Sequence, residues 1–200
     1  MKNSHNDSNK KLIQGRASGY QMSYNLLQNA EYLSETLPYA AGSLVSNVGD
    51  LLKWNNAILE NSLISEESRE KAWTAYTLKD GSSTNYGYGW SVGQLQEKRM
   101  ISHSGGIFGF LSMGILLPDE EIFVAVLSNC NCQDPGTAAF RMAAQALGYD
   151  LDWKPIEVAE ADLKKFEGNY PINDEESRVL EVKNGKLYSQ RGESSSFALT

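Results

Sequence analysis

The clearest pattern in the chain lies between residues 100 and 129, where short apolar runs are broken by a glycine-rich segment and by 118–121. Apolar residues alternate at Ile115 and Leu117 and again at Phe123, Ala125 and Leu127, a period of two that belongs to strands. It predicts strands at 100–103, Phe110–Leu117 and Ile122–Ser128, joined to one at 86–95 in an antiparallel meander. Elsewhere the period lengthens. Leu51, Leu52, Ile58 and Leu59 recur at helical spacing behind Ser46, a candidate cap, with Asp50 in the first turn and Trp54 expected in the core. Ser65 is placed to cap a second helix from Glu66 to about Tyr76, and a third is predicted at 137–147, closed by Gly148. The fold class that follows is α+β, an antiparallel sheet flanked by helices.

Outside these elements the pattern thins. Residues 1–14 are polar and expected to fray, the chain reads as loop up to Pro38, and 79–84 reads as a turn. Residues 155–162 are acidic, with the linker placed at 154–161 between a first domain at 1–153 and a small β unit at 162–200. In that last piece Asn184-Gly185, flanked by strands at 179–182 and 187–189, is a strong hairpin signal because both turn positions tolerate positive φ.

Composition changes the picture only by exclusion. Two hundred residues, 41% hydrophobic and 22% charged, are enough for one real core and a small second unit. A formal charge of -7 argues against nucleic acid as a partner, since no basic stripe is present to neutralise phosphates. No apolar run approaches the roughly 18 residues that would span a bilayer, and the opening MKNSHNDSNKK lacks the apolar centre of a signal peptide. Cys130 and Cys132 are one residue apart, too close to staple distant elements, and are expected as unpaired thiols at a strand end. With one distant histidine they do not complete a zinc set, so neither a metal nor a cofactor is expected.

The candidate chemistry sits at His103, Ser104, Gly105 and Gly106, the clustered polar group of an otherwise apolar stretch. Composition alone reads it as a turn between strands. The order AAGSLVSNVGDLLKWNNAIL (40–59), NYGYGW (85–90), ISHSGGIFGF (101–110) and VAVLSN (124–129) resembles the serine hydrolases related to class C β-lactamases and penicillin-binding proteins. RASGY (16–20) is similar to the segment that follows the second active-site motif in that family. The resemblance covers about the first three quarters of the chain and implies a β-lactamase/transpeptidase-like fold, partial here. The last piece resembles the opening of the small β domain that often follows.

By this resemblance His103-Ser104-Gly105 stands where the third active-site motif would be, with histidine in place of the commoner lysine. Gly106 would offer its N–H to an oxyanion, Ser104 would bind a substrate carboxylate or carbonyl, and Gly105 would keep that edge open. Tyr86, Tyr88, Trp90 and Phe108 are candidates to line the pocket, with core packing the favoured assignment. The family acts through Ser-x-x-Lys and, commonly, Tyr-x-Asn. Tyr-x-Asn is absent from these 200 residues, and Ser-x-x-Lys occurs at Ser8/Lys11 in the polar tail and at Ser68/Lys71 on a charged face. A lysine acting as base needs desolvation or a cationic neighbour, so neither pair is read as catalytic. The expectation is a fragment of an acyl hydrolase for an ester, a D-amino-acid peptide or amide, or a β-lactam, its nucleophile lying upstream. Such a parent takes a small-molecule or peptide substrate and, by family habit, is periplasmic or extracellular. A noncatalytic binding module, or a degenerate family member, is the alternative.

Overall fold

The computed structural model describes residues 1–8, 10–23, 26–34, 37–149, 157–173, 176–192 and 196–199. They fall into two compact units, Met1–Leu151 and Asp152–Thr200. The first unit runs β1 (His5–Asn6), β2 (Tyr20–Ser23), β3 (Leu26–Asn29), α1 (Tyr39–Gly42), β4 (Leu44–Val45), α2 (Val48–Leu59) and α3 (Glu66–Ala72). Then come β5 (Ser91–Leu95), β6 (Lys98–Ile107), β7 (Phe110–Leu117), β8 (Ile122–Ser128) and α4 (Pro135–Ala146).

The central sheet is the antiparallel meander β5-β6-β7-β8. Its bounds at β7 and β8 are those that the sequence predicts, although each strand is apolar on both faces, a nearly continuous run rather than an alternation, and both faces are covered. Met100, Met113, Ile115, Leu117 and Val124 form one face, packed on Ala139 and Ala143 of α4. Ile101 and Leu116 form the other, packed on Ile58 of α2 and on Trp73 at the end of α3. Successive residues thus serve opposite cores, which is how a period of two is spent when helices lie on both sides.

Several expectations need correction. Strand β5 begins at Ser91 rather than at residue 86, because Asn85 and Gly89 take positive φ (53° and 78°) and the intervening stretch is a tight loop. Strand β6 runs on to Ile107, so the glycine pair does not form a corner; the turn is Phe108-Gly109, with Gly109 at φ 79°. Asn47, not Ser46, caps α2, its side chain accepting the Asp50 N–H at 2.9 Å. The helix at Ser65 ends at Ala72, and its capping serine is the predicted one. Trp54 is 41% exposed, whereas Trp73 is 2% exposed and fills the core place.

The amino-terminal tail, expected to fray, carries structure. Strand β1 pairs with β4, and the buried Asp50 carboxylate accepts from the Asn3 N–H (2.7 Å) and the Ser4 hydroxyl (3.1 Å). The stretch read as loop contains the hairpin β2–β3, docked through Tyr20 N–H to the Asn129 carbonyl (2.9 Å) and Asn131 N–H to the Tyr20 carbonyl (3.2 Å). Cys130 and Cys132 are joined as a disulfide, so they are not unpaired thiols; a bond this local closes one small loop and ties no distant elements.

In the second unit α5 (Glu160–Leu163) leads to the sheet β12-β11-β10-β9, made of β9 (Gly168–Pro171), β10 (Ser177–Lys183), β11 (Lys186–Arg191) and β12 (Phe197–Ala198). Asn184 and Gly185 turn β10 into β11 with φ 53° and 70°, as the dipeptide predicts. Of the linker expected at 154–161, residues 154–156 lie outside the described residues.

Candidate functional site

Strand β6 changes character at its middle. Met100, Ile101 and Ser102 are buried, while His103, Ser104, Gly105 and Gly106 are exposed. Register explains the step. Pairing with β5 ends at Ser91↔Ser102, whereas pairing with β7 continues from Ile101↔Leu116 to Ile107↔Phe110. Beyond Ser102, among the described residues, β6 has a neighbouring strand on one side only.

Which main-chain groups face that open side follows from the ladder. The Val92 N–H bonds the Asn85 carbonyl at 2.9 Å and so points away from β6, which leaves Ser91 and Gly93 to bond β6 at Ser102 and Met100. Antiparallel strands alternate by two, so the N–H and C=O of Ser104 and Gly106 also point to the open side. On the face that carries Ile101, the pairs beyond it are His103↔Gly114 and Gly105↔Ser112. A Cβ on Gly105 would lie 2.5 Å from the Ser112 hydroxyl, so glycine at 105 lets β6 and β7 pack closely there, and a larger residue would have to displace that serine side chain.

His103 is held at both nitrogens. Nδ1 is 2.5 Å from the Ser104 carbonyl, and Nε2 is 2.8 Å from the Tyr86 hydroxyl. Tyr86 comes from the loop before β5, and its ring meets the imidazole edge-on with centroids 5.9 Å apart. The loop is tied to α3: the Tyr88 N–H donates to the Ala72 carbonyl (3.0 Å), and a Cβ on Gly87 would sit 2.2 Å from that same oxygen. Only glycine fits at 87.

The other candidates separate cleanly. Trp90 is half-buried against the core, in line with the core assignment, but Tyr86, Tyr88 and Phe108 are exposed, which corrects that assignment for these three. Tyr86, a pocket-lining candidate in the sequence but assigned there to core packing, is the side chain that meets His103. The signal was there, an aromatic inside Asn-Tyr-Gly-Tyr-Gly whose glycines force a tight loop, but aromatic composition alone favours burial. Neither Ser-x-x-Lys match is assembled. The Ser8 oxygen accepts from the Lys10 and Lys11 N–H groups at 3.2 Å, a turn, and the Ser68 hydroxyl bonds that of Ser65 at 3.0 Å. A cavity of about 260 Å³ is lined by residues of the amino-terminal segment, Lys2, His5 and Lys11 among them, and by none of the β6 residues. Among the described residues no helix is long and apolar enough to cross a membrane.

A family model described as β-lactamase matches residues 1–147. The chain belongs to the β-lactamase family. This β-lactamase-family chain is 28% identical over 157 residues to a penicillin-binding protein of Bacillus subtilis, covering 74% of the chain and 35% of that protein. It is 28% identical over 191 residues to an unguisins hydrolase of Aspergillus campestris, covering 88% and 34%. It is 29% identical over 188 residues to the mitochondrial serine β-lactamase-like protein LACTB of Homo sapiens, covering 73% and 34%. The chain therefore spans about a third of the length of the curated relatives it matches.

Its fold is similar to that of the octameric penicillin-binding protein homologue from Pyrococcus abyssi, at a TM-score of 0.64 and 23% identity, covering 99% of this chain and 46% of that one. It is also similar to a D-stereospecific amidohydrolase from Streptomyces sp., at a TM-score of 0.56 and 20% identity, covering 68% and 41%. The α+β architecture, with its antiparallel sheet and flanking helices, is thus the β-lactamase/transpeptidase fold in part.

Proposed function

We propose that this chain supplies the substrate-binding and oxyanion half of a serine acyl-hydrolase site, and that the nucleophile with its base lies in sequence outside these 200 residues. The observation that carries the reading is the open edge of β6, where the main-chain groups of Ser104 and Gly106 face outward beside an imidazole held at both nitrogens. In acyl transfer the negative charge that develops on the carbonyl oxygen needs a donor already aimed at it. A main-chain N–H such as that of Gly106 is worth about 3 kcal/mol in that role. The Ser104 hydroxyl is exposed and free to bind a substrate carbonyl or carboxylate.

The reaction is hydrolysis, through an acyl-enzyme, of an ester, a D-amino-acid peptide or amide, or a β-lactam. The names of these similar proteins (penicillin-binding protein, unguisins hydrolase, D-stereospecific amidohydrolase) support that range of substrates. The chain's share of about a third of its curated relatives supports the division of the site. Histidine instead of lysine at 103 lowers the fixed positive charge of the strand and favours esters and amides over β-lactams.

The experiment is covalent labelling read by intact mass. The 200-residue chain, incubated with a fluorophosphonate and with a labelled penicillin, is expected to gain no adduct. A protein extended upstream is expected to label at a serine outside it, and His103→Ala to slow that labelling on the order of 10²-fold. A stoichiometric adduct at Ser68, abolished by Lys71→Ala, would overturn the division and make this chain a complete small hydrolase.

A further inference from the structure

We propose that Tyr86 is the positioning residue for His103, fixing the imidazole as its Nδ1–H tautomer and directing that hydrogen to the Ser104 carbonyl. Its functional meaning rests on the reading of β6 given above; its test does not. The hydrogen-bond logic begins at Ser104. A carbonyl oxygen only accepts, so Nδ1, 2.5 Å from it, carries a hydrogen. In the neutral ring Nε2 then holds a lone pair, and the Tyr86 hydroxyl at 2.8 Å is the donor that fills it. The chain of bonds runs one way, from Tyr86 O–H to Nε2 and from Nδ1–H to Ser104.

The tyrosine is placed for this by its backbone rather than by burial. Its carbonyl accepts the Tyr76 N–H (2.9 Å) and the Thr84 hydroxyl (3.0 Å), and it bridges to Ser91 at the start of β5. Next to it, Gly87 and Tyr88 lie against the Ala72 carbonyl. The main chain is therefore pinned to both α3 and the sheet, while the side chain, 39% exposed, reaches across to β6. Core packing would leave a tyrosine buried with its hydroxyl at the rim; here the hydroxyl meets the imidazole.

For the site, both ring nitrogens are spoken for. His103 holds the Ser104 carbonyl on the open side of β6, and the Tyr86 oxygen, which can still accept, adds a polar atom for a ligand beside the ring.

The test is a tautomer measurement by NMR on the 200-residue chain labelled with ¹⁵N-histidine. Only His5 and His103 are present, and His5→Gln leaves a single imidazole to read. At alkaline pH the expected spectrum has a pyrrole-type shift at Nδ1 and a pyridine-type shift at Nε2. Tyr86→Phe keeps the ring and removes the donor, and is expected to move Nε2 towards the pyrrole type as hydrogen relocates to it, with the backbone amide spectrum otherwise preserved. An Nε2–H tautomer in the unmutated protein, or a Tyr86→Phe spectrum identical to it, would overturn the proposal. The unmutated spectrum decides even if the variant fails to fold. In the upstream-extended protein, acylation that ignores His103→Ala while the tautomer stands as described counts against the functional reading alone. Acylation that needs His103 while Tyr86→Phe leaves the tautomer unmoved counts against Tyr86 alone.

Discussion

Gly87 is the residue on which the candidate site has the least tolerance. An alanine there would put its Cβ 2.2 Å from a backbone oxygen, and backbone cannot swing aside as a side chain can. Gly87→Ala is expected to cost about 1–3 kcal/mol, read as a lower denaturant midpoint, and to release the Tyr86–His103 contact. Asp50 is constrained electrostatically instead. The Asn3 N–H, above all, with Lys53 and Ser4 holds its pKa at about 2 against an ordinary 3.8, although burial pushes the other way. The folded value lies below the unfolded one, so the stabilisation is full above about pH 4 and is lost as the pH falls from 3.8 towards 2. Asp50→Asn should flatten the acid limb of a stability-versus-pH curve in that window and leave its slope at neutral pH unchanged. Single residues were where sequence reading failed most. Trp54 and Trp73 look alike to hydrophobicity, and only the packing of α3 on the sheet buries the second. The Cys130–Cys132 bond has no counterpart in the spacing rules for stapled elements, because it staples none.

At the scale of elements, legibility tracks burial. Strands β7 and β8 were readable to the residue because both faces meet a core. The sequence predicts β6 only as far as His103 because the outer half of the strand meets neither core, and there glycine and serine carry the usual mark of a turn. The hairpin β2–β3 was missed for a related reason: Leu26 to Asn29 are all exposed, so no alternation was selected into them. Helix α3 is joined to the sheet by Trp73, with the Arg69 guanidinium 5.2 Å and the Arg99 guanidinium 5.5 Å from its ring. Trp73→Ala is expected to lose about 3–5 kcal/mol by leaving a cavity between α2, α3 and β6. Because α3 ends at the carbonyl that seats the Tyr86 loop, the same variant should also loosen His103. A stability loss with an unchanged imidazole spectrum would separate the two and refute that linkage.

For the whole molecule, the telling feature is apolar surface. Leu44, Val48, Leu52 and Trp54 are exposed around the start of α2, and Met22, Leu26 and Leu27 are exposed on the β2–β3 hairpin. Apolar side chains left in water in this number are what an interaction face is built from. If the remainder of a longer protein covers it, as the proposed division of the site requires, the 200-residue chain should self-associate with rising concentration in sedimentation velocity. Extension upstream should abolish that behaviour. A chain that stays monodisperse and melts in one sharp transition would count against the division. The α+β class and the four-stranded meander were legible at this scale because they depend on the pattern of many positions and survive errors at a few.

One strand, β6, also spans two regimes of solvent exchange. The amides of Met100 and Ser102 are locked between neighbours on both sides and open only when the sheet itself opens. Those of Ser104 and Gly106, two and four residues further on, look into solvent and should trade hydrogen for deuterium without any unfolding. The boundary falls between Ser102 and His103, inside a single continuous ladder with β7. A ligand that lies along the outer half would convert fast amides into slow ones while leaving the inner half untouched. Deuterium uptake would then report occupancy of the edge directly, with no turnover needed to see it.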